Sequence, residues 1–242
     1  MLLHASFGLA CLLQSCGTTT ALPTEQHPLN QHDRNNVQTV RAKLKIAEII
    51  PTVIDDFLPS LMLSVRWSKK DAELGNIIKP EKLQRQPEIT VNNIANTVVA
   101  KKTNLSYVIT LTDPDAPSRD NPEWSEMCHW VATNVSVSRN SFSIPPVPEY
   151  ALTKQTTSEH RGLDDVVKYK PPGPPKKSGK HRYVFLVFAA KNGTAETLHL
   201  SKPKTRQHWG TGTERGGVRN WASENGLVPV AANFIYAQHK EQ

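Results

Sequence analysis

Apolar residues recur along this chain in short runs separated by turn residues. Strand signals fall at Leu61 to Trp67, Glu88 to Val91, Tyr107 to Thr112, Cys128 to Val137, Val166 to Tyr169, Tyr183 to Phe188 and Val228 to Tyr236. The runs beginning at Tyr107 and Tyr183 are nearly continuous in apolar residues, as in strands covered on both faces, so these two are predicted to be central. Helical spacing occurs twice. Val37 to Ile50 sets Val40, Leu44 and Ile50 among charged residues, with Ala42, Ile46 and Ala47 filling in. It predicts a short amphipathic helix that ends near Pro51 and covers one end of the sheet. Gly217 to Asn225 predicts a second helix, stopped by Gly226 in a C-cap position. Pro145, Pro146 and Pro148, and then Pro171 to Gly179, interrupt the pattern as rigid loops.

The 242 residues and 38% hydrophobic content suit one globular domain with extensions. Eighteen prolines against twelve glycines favour many short strands joined by stiff turns, so the fold is expected to be mainly β. Residues 1–21 carry no Lys, Arg, Asp or Glu, and their apolar run from Ala5 to Leu13 reads as a signal peptide, too short for a membrane span of about 20 residues. The protein is therefore expected on a secretory or vacuolar route, with a cytoplasmic location as the alternative. Residues 22–36, polar from Glu25 to Asn36, read as a disordered linker, and 37–242 as the domain.

The formal charge of +7 attracts anions, but the cations are scattered in pairs such as Lys69-Lys70 and Lys101-Lys102 rather than interleaved with exposed aromatics. Nucleic acid is not an expected partner on that pattern. Of the three cysteines, Cys11 and Cys16 lie in the N-terminal stretch and only Cys128 lies in the body, which excludes a disulfide framework there once the stretch is cleaved. Cys128 is expected to be buried and inert. Sequons begin at Asn104, Asn134 and Asn192.

The chemistry concentrates in two loops. Directly after the strand ending at Thr112 comes Asp113-Pro114-Asp115-Ala116-Pro117-Ser118-Arg119, a proline-stiffened turn holding two carboxylates at a strand end. It leads to Glu126-Met127-Cys128-His129-Trp130, where a strand begins with an imidazole beside a large aromatic. The second block, Gly173-Pro174-Pro175-Lys176-Lys177-Ser178-Gly179-Lys180-His181-Arg182-Tyr183, again delivers a histidine from a proline-braced loop to a strand start.

These two blocks, in this order and at this separation, resemble the signatures of the phosphatidylethanolamine-binding protein family. Similarity runs from about Ile49 to Gln238. Trp124 to His129, Gly210 to Thr213, Trp221 to Asn225 and Ala232 to Ala237 look most like the fungal carboxypeptidase Y inhibitors of that family. The resemblance implies an antiparallel β-sandwich with a few short peripheral helices, a small anion-binding pocket, binding or inhibition rather than catalysis, and no cofactor or metal.

Carried over position by position, the resemblance implies a pocket lined by Asp113, Asp115, His129, Gly173, Pro175 and His181, with Tyr183 and Trp124 in its wall. Protonated imidazoles and backbone N–H groups would receive a phosphate, a carboxylate or a phospholipid head group. The aspartates would help keep those imidazoles charged, since a carboxylate within about 4–6 Å favours the charged form. Lys168, Lys170, Lys176, Lys177, Lys180 and Arg182 would steer anions to the mouth. Arg119 and Arg182 are expected to pair with loop carboxylates and hold the two loops together rather than to touch a ligand, a geometry the guanidinium suits. The partners implied are a small anion or head group and a serine carboxypeptidase. No Gly-x-Ser-x-Gly elbow or His-Glu-x-x-His helix accompanies the two blocks, and nothing reads as an amphipathic membrane helix.

Overall fold

The computed structural model describes residues 31–94, 105–138, 162–193 and 198–241. The expected signal peptide, the first part of the linker, the Pro145–Pro148 loop and the Asn104 sequon lie outside the described residues. Along the chain run α1 (Gln31–Ile46), β1 (Leu61–Trp67), β2 (Lys70–Asp71), β3 (Asn76–Ile77), β4 (Glu88–Asn93), β5 (Tyr107–Asp113) and β6 (Met127–Thr133). There follow β7 (Val137–Ser138), β8 (Asp164–Val167), β9 (Lys180–Ala190), α2 (Val218–Glu224) and β10 (Leu227–Gln238).

Among the described residues the strands form a four-stranded sheet, β2-β1-β4-β7, and a six-stranded sheet, β3-β10-β9-β5-β6-β8. The architecture is a β-sandwich, mainly antiparallel. Its departures from the antiparallel expectation are two short parallel edges, β3 on β10 and β7 on β4. The strands predicted to be central, β5 and β9, lie side by side inside the larger sheet, with Leu111 opposite Phe185.

Alternation along β9 explains why its run from Tyr183 to Phe188 is unbroken in apolar residues. Tyr183, Phe185 and Val187 enter the core between the sheets with Leu63, Val65 and Trp67 of β1. Val184, Leu186 and Phe188 enter a second core beneath α1 and α2 with Leu44, Trp209 and Trp221. Period-2 geometry sends successive side chains into two different apolar layers, so from Tyr183 to Phe188 neither face of the strand turns to solvent.

The first helix begins at Gln31, inside the stretch expected to be linker, and it covers a face of the large sheet rather than an end. Val37, Val40 and Leu44, spaced by three and four, are buried. Ile46, expected to fill in the apolar face, is 78% exposed, because two residues past Leu44 it has rotated by about 200° away from the sheet.

The helix closes in a Schellman turn: Ile49 N–H bonds Leu44 O at 2.9 Å and Glu48 N–H bonds Lys45 O at 3.0 Å, with Glu48 at φ 54°. Ile49 and Leu44, both fully buried, make the apolar contact that accompanies such a turn. The turn leaves the carbonyls of Ala47 and Glu48 facing the site. At the other end of the chain α2 matches its predicted span, with Gly217 as N-cap and Gly226 following at φ 64°. No helix among the described residues is long and apolar enough to cross a membrane.

Candidate functional site

The site forms where the end of β5, the start of β6 and the start of β9 lie side by side. Asp113 closes β5 and bridges two elements: its Oδ1 accepts from Asp115 N–H at 2.8 Å, making a local turn, and its Oδ2 meets His181 Nδ1 of β9 at 2.9 Å. The other ring nitrogen, His181 Nε2, lies 2.9 Å from Ser178 Oγ. Asp113 and His181 are both buried. On β6, His129 Nδ1 bonds Lys170 O at 2.8 Å, which leaves Nε2 as the ring edge that can turn to a ligand.

Tyr183 ties the two imidazoles together. Its ring meets His129 edge-on at 5.3 Å and stacks on His181 at 6.3 Å. Burial, and then the Asp113 carboxylate, push its phenol well above the ordinary value. Gly173 and Pro175 are exposed on the loop before β9, and Pro175 O receives the Ser178 hydroxyl at 2.8 Å. Trp124 is 38% exposed, held through its N–H on Ala116 O at 3.0 Å.

Two expectations need correction. Asp115 does not line the pocket as a free carboxylate. Arg182 holds both of its oxygens, with NH2 on Oδ1 at 2.6 Å and Nε on Oδ2 at 2.9 Å, and Arg182 N–H adds a third bond to Oδ2 at 2.8 Å. The same guanidinium donates from NH1 to Ala47 O and Glu48 O, both at 2.9 Å, so it caps the end of α1 and cannot steer anions at the mouth. Arg119 pairs with Glu48 at 2.7 Å and braces the same corner. Pairing, the role expected of these arginines, is the one the fold uses.

The charge of the site also differs from the expected pair of protonated imidazoles. Burial pushes the His129 imidazole down to about 4, and the nearby Asp113 offsets only part of that. His129 is therefore neutral near pH 7, and with Nδ1–H given to the Lys170 carbonyl its Nε2 presents a lone pair rather than a cation. The positive field comes instead from Lys168, Lys170, Lys177 and Lys180, all exposed, and from Lys176, which also reaches Glu241 at 3.0 Å.

Sequence reasoning assigned no role to Glu126, although it lies in one of the matched stretches. It is 3% exposed, accepts from Thr112 Oγ1 at 2.9 Å and from Val218 N–H at 3.4 Å, and burial pushes its carboxyl up to about 8. It thus sits neutral between β5 and the start of α2, and Gly217 is needed there because a Cβ would overlap its carboxyl. Arg206 was missed as well: it ties Cys128 O, His129 O and Lys168 O together at 3.1, 3.0 and 2.7 Å. Neither residue carries a local signal, since nothing in a sequence announces that the fold will bury Glu126 or turn Arg206 onto three backbone carbonyls. Cys128 is fully buried, and burial pushes its thiol up to about 12.

The family model "Phosphatidylethanolamine-binding protein" matches residues 68–235, which spans β6, β9 and both proline-braced loops. The chain belongs to the phosphatidylethanolamine-binding protein family. Among its relatives is the carboxypeptidase Y inhibitor of Saccharomyces cerevisiae, 36% identical over 205 residues, covering 79% of this chain and 91% of that protein. A crystal structure of carboxypeptidase Y inhibitor complexed with the cognate proteinase superposes with a TM-score of 0.69 at 32% identity, covering 84% of this chain and 97% of that one. A Plasmodium vivax phosphatidylethanolamine-binding protein superposes with a TM-score of 0.59 at 20% identity over 82% of this chain and 97% of that one, a likeness of fold.

Proposed function

We propose that this chain is an inhibitor of a serine carboxypeptidase, acting by binding, with a pocket at His129, Tyr183 and Gly173 that receives a small anion. The observation that carries the reading is the match to the carboxypeptidase Y inhibitor in both sequence and structure, over nearly the whole of that relative. In the solved complex that relative is bound to its cognate proteinase. The N-terminal stretch supports a secretory or vacuolar route, on which a target of this kind would be met.

Purified full-length chain is expected to slow peptide hydrolysis by a carboxypeptidase Y-type enzyme in a saturable, stoichiometric way. If micromolar chain leaves hydrolysis at its uninhibited rate, the inhibitor reading fails.

The arrangement of side chains favours a second reading, a phosphatidylethanolamine head-group binder or carrier without inhibitor activity. Its favourable features are the buried His129 edge held against Tyr183, exposed Gly173 at the loop, and exposed lysines around them. Calorimetry with inorganic phosphate and with phosphoethanolamine separates the two anion sources. Binding that His129→Ala abolishes supports the pocket, and heat unchanged by that substitution removes it.

A further inference from the structure

The loop that delivers His181 to β9 also delivers a hydroxyl to it. Ser178 Oγ lies 2.9 Å from His181 Nε2, and across the ring His181 Nδ1 lies 2.9 Å from Asp113 Oδ2. Three side chains from a loop, a strand start and a strand end therefore make one continuous hydroxyl–imidazole–carboxylate chain. Exposure grades along it. Asp113 and His181 are 2% and 1% exposed, while Ser178 is half-buried on a bend whose neighbours Lys177 and Gly179 are exposed. A base and its orienting carboxylate shielded from water, beside a serine that is only partly buried, is the arrangement that activates a hydroxyl.

Hydrogen accounting allows the base role. The Asp113 carboxylate only accepts, so Nδ1 turns its hydrogen to Asp113, and in the neutral ring Nε2 then presents a lone pair to Ser178. The single Ser178 hydrogen has two acceptors, Nε2 at 2.9 Å and Pro175 O at 2.8 Å. A hydroxyl rotor passes from one to the other without moving a heavy atom.

We propose that Ser178 is a nucleophilic acyl acceptor, with His181 as its general base and Asp113 as the residue that positions the ring, reacting once with esters that carry a good leaving group. In this step Ser178 Oγ forms a bond to the acyl carbon as His181 Nε2 takes the hydroxyl proton. Collapse of the tetrahedral adduct breaks the bond to the leaving alkoxide or phenolate, which takes that proton from Nε2. The products are O-acyl-Ser178 and the free alcohol or phenol, with no oxidant or second reactant required. The transfer is stoichiometric, so it adds a modification site to a binding protein. It does not rest on the inhibitor reading, since no carboxypeptidase takes part.

The test treats the full chain with p-nitrophenyl acetate near neutral pH, follows p-nitrophenolate by absorbance and locates the acetyl group by peptide mass mapping. A burst approaching one p-nitrophenolate per chain is expected, with the acetyl on Ser178. Ser178→Ala removes the burst, and His181→Asn slows it by about 100-fold or more, the scale of general-base assistance. Ser64→Ala, on the exposed side of β1, leaves it unchanged. Acetyl found only on lysines, or a burst that survives in Ser178→Ala, overturns the proposal. A serine that merely holds the turn would give that second result together with a lowered Tm. Should His181→Asn fail to fold, Ser178→Ala and the mapped site decide between the same two outcomes.

Discussion

Replacing Glu126 with glutamine is expected to change the pH dependence of stability rather than stability at its best pH. The amide oxygen can take over the bonds from Thr112 Oγ1 and Val218 N–H, and the amide nitrogen replaces the oxygen that is protonated in the fold. In the wild type, folded Glu126 stays neutral up to about 8, while the unfolded carboxyl ionises from its ordinary 4.5. The folded state binds the extra proton across that window, so stability is present at low pH and falls as pH rises, by about 1.4 kcal/mol per pH unit. Between about pH 5 and 7 the loss amounts to roughly 2–3 kcal/mol.

His129 works in the opposite direction. Neutral in the fold down to about 4, it is protonated in the unfolded chain below its ordinary 6.5, so its contribution is present above 6.5 and is lost as pH falls toward 4. It gains the fold roughly 2 kcal/mol between about pH 5 and 7. The two slopes nearly cancel up to about pH 6.5, beyond which Glu126 alone lowers stability. Glu126→Gln should unmask the histidine, giving stability that rises by about 2 kcal/mol from pH 5 to 7 and then levels. His129→Asn should give the opposite slope. Urea unfolding followed by tryptophan fluorescence across this range reads both. Profiles for Glu126→Gln and wild type that run parallel would refute the reasoning, because they would mean that Glu126 is ionised in the fold.

Arg182→Ala strands Asp115, 1% exposed, without its counter-charge and uncaps the end of α1; urea unfolding should show a loss of about 3–5 kcal/mol. Leu44→Ala removes the side chain that seats α1 on the large sheet and should cost about 2–5 kcal/mol by the same measurement. Cys128, buried with its thiol held protonated, should resist iodoacetamide in the folded chain and react in denaturant, as read by mass mapping of its peptide.

Much of the fold was legible because burial on two sides or one leaves a periodic trace. Leu61–Trp67 was placed to the residue, the two centre strands were recognised from their unbroken apolar runs, and Gly217 and Gly226 bracketed α2. The parallel edges β3 and β7, two residues each, left no such trace, and the start of α1 lies in residues whose polarity masks the period. At the site, Asp113, His129, His181 and Tyr183 do converge, and Asp115 does not join them as a free carboxylate. Pairing of Arg182 with a loop carboxylate was legible, but that the carboxylate is Asp115 and that the same guanidinium also caps α1 follows only from the folded arrangement.

By itself the order of residues determined the long strands, which two lie innermost, and which two proline-braced loops carry the histidines. Those properties are local: each follows from side-chain period or from the restricted backbone of proline and glycine. The tertiary structure decided charge and contact: that His129 and Glu126 are both neutral, that Asp115 belongs to Arg182, and that Ser178 closes on His181. Ionisation depends on how much water a group loses and on which charges stand within a few ångströms, and Glu126, Val218 and Thr112 become neighbours only after the chain has folded.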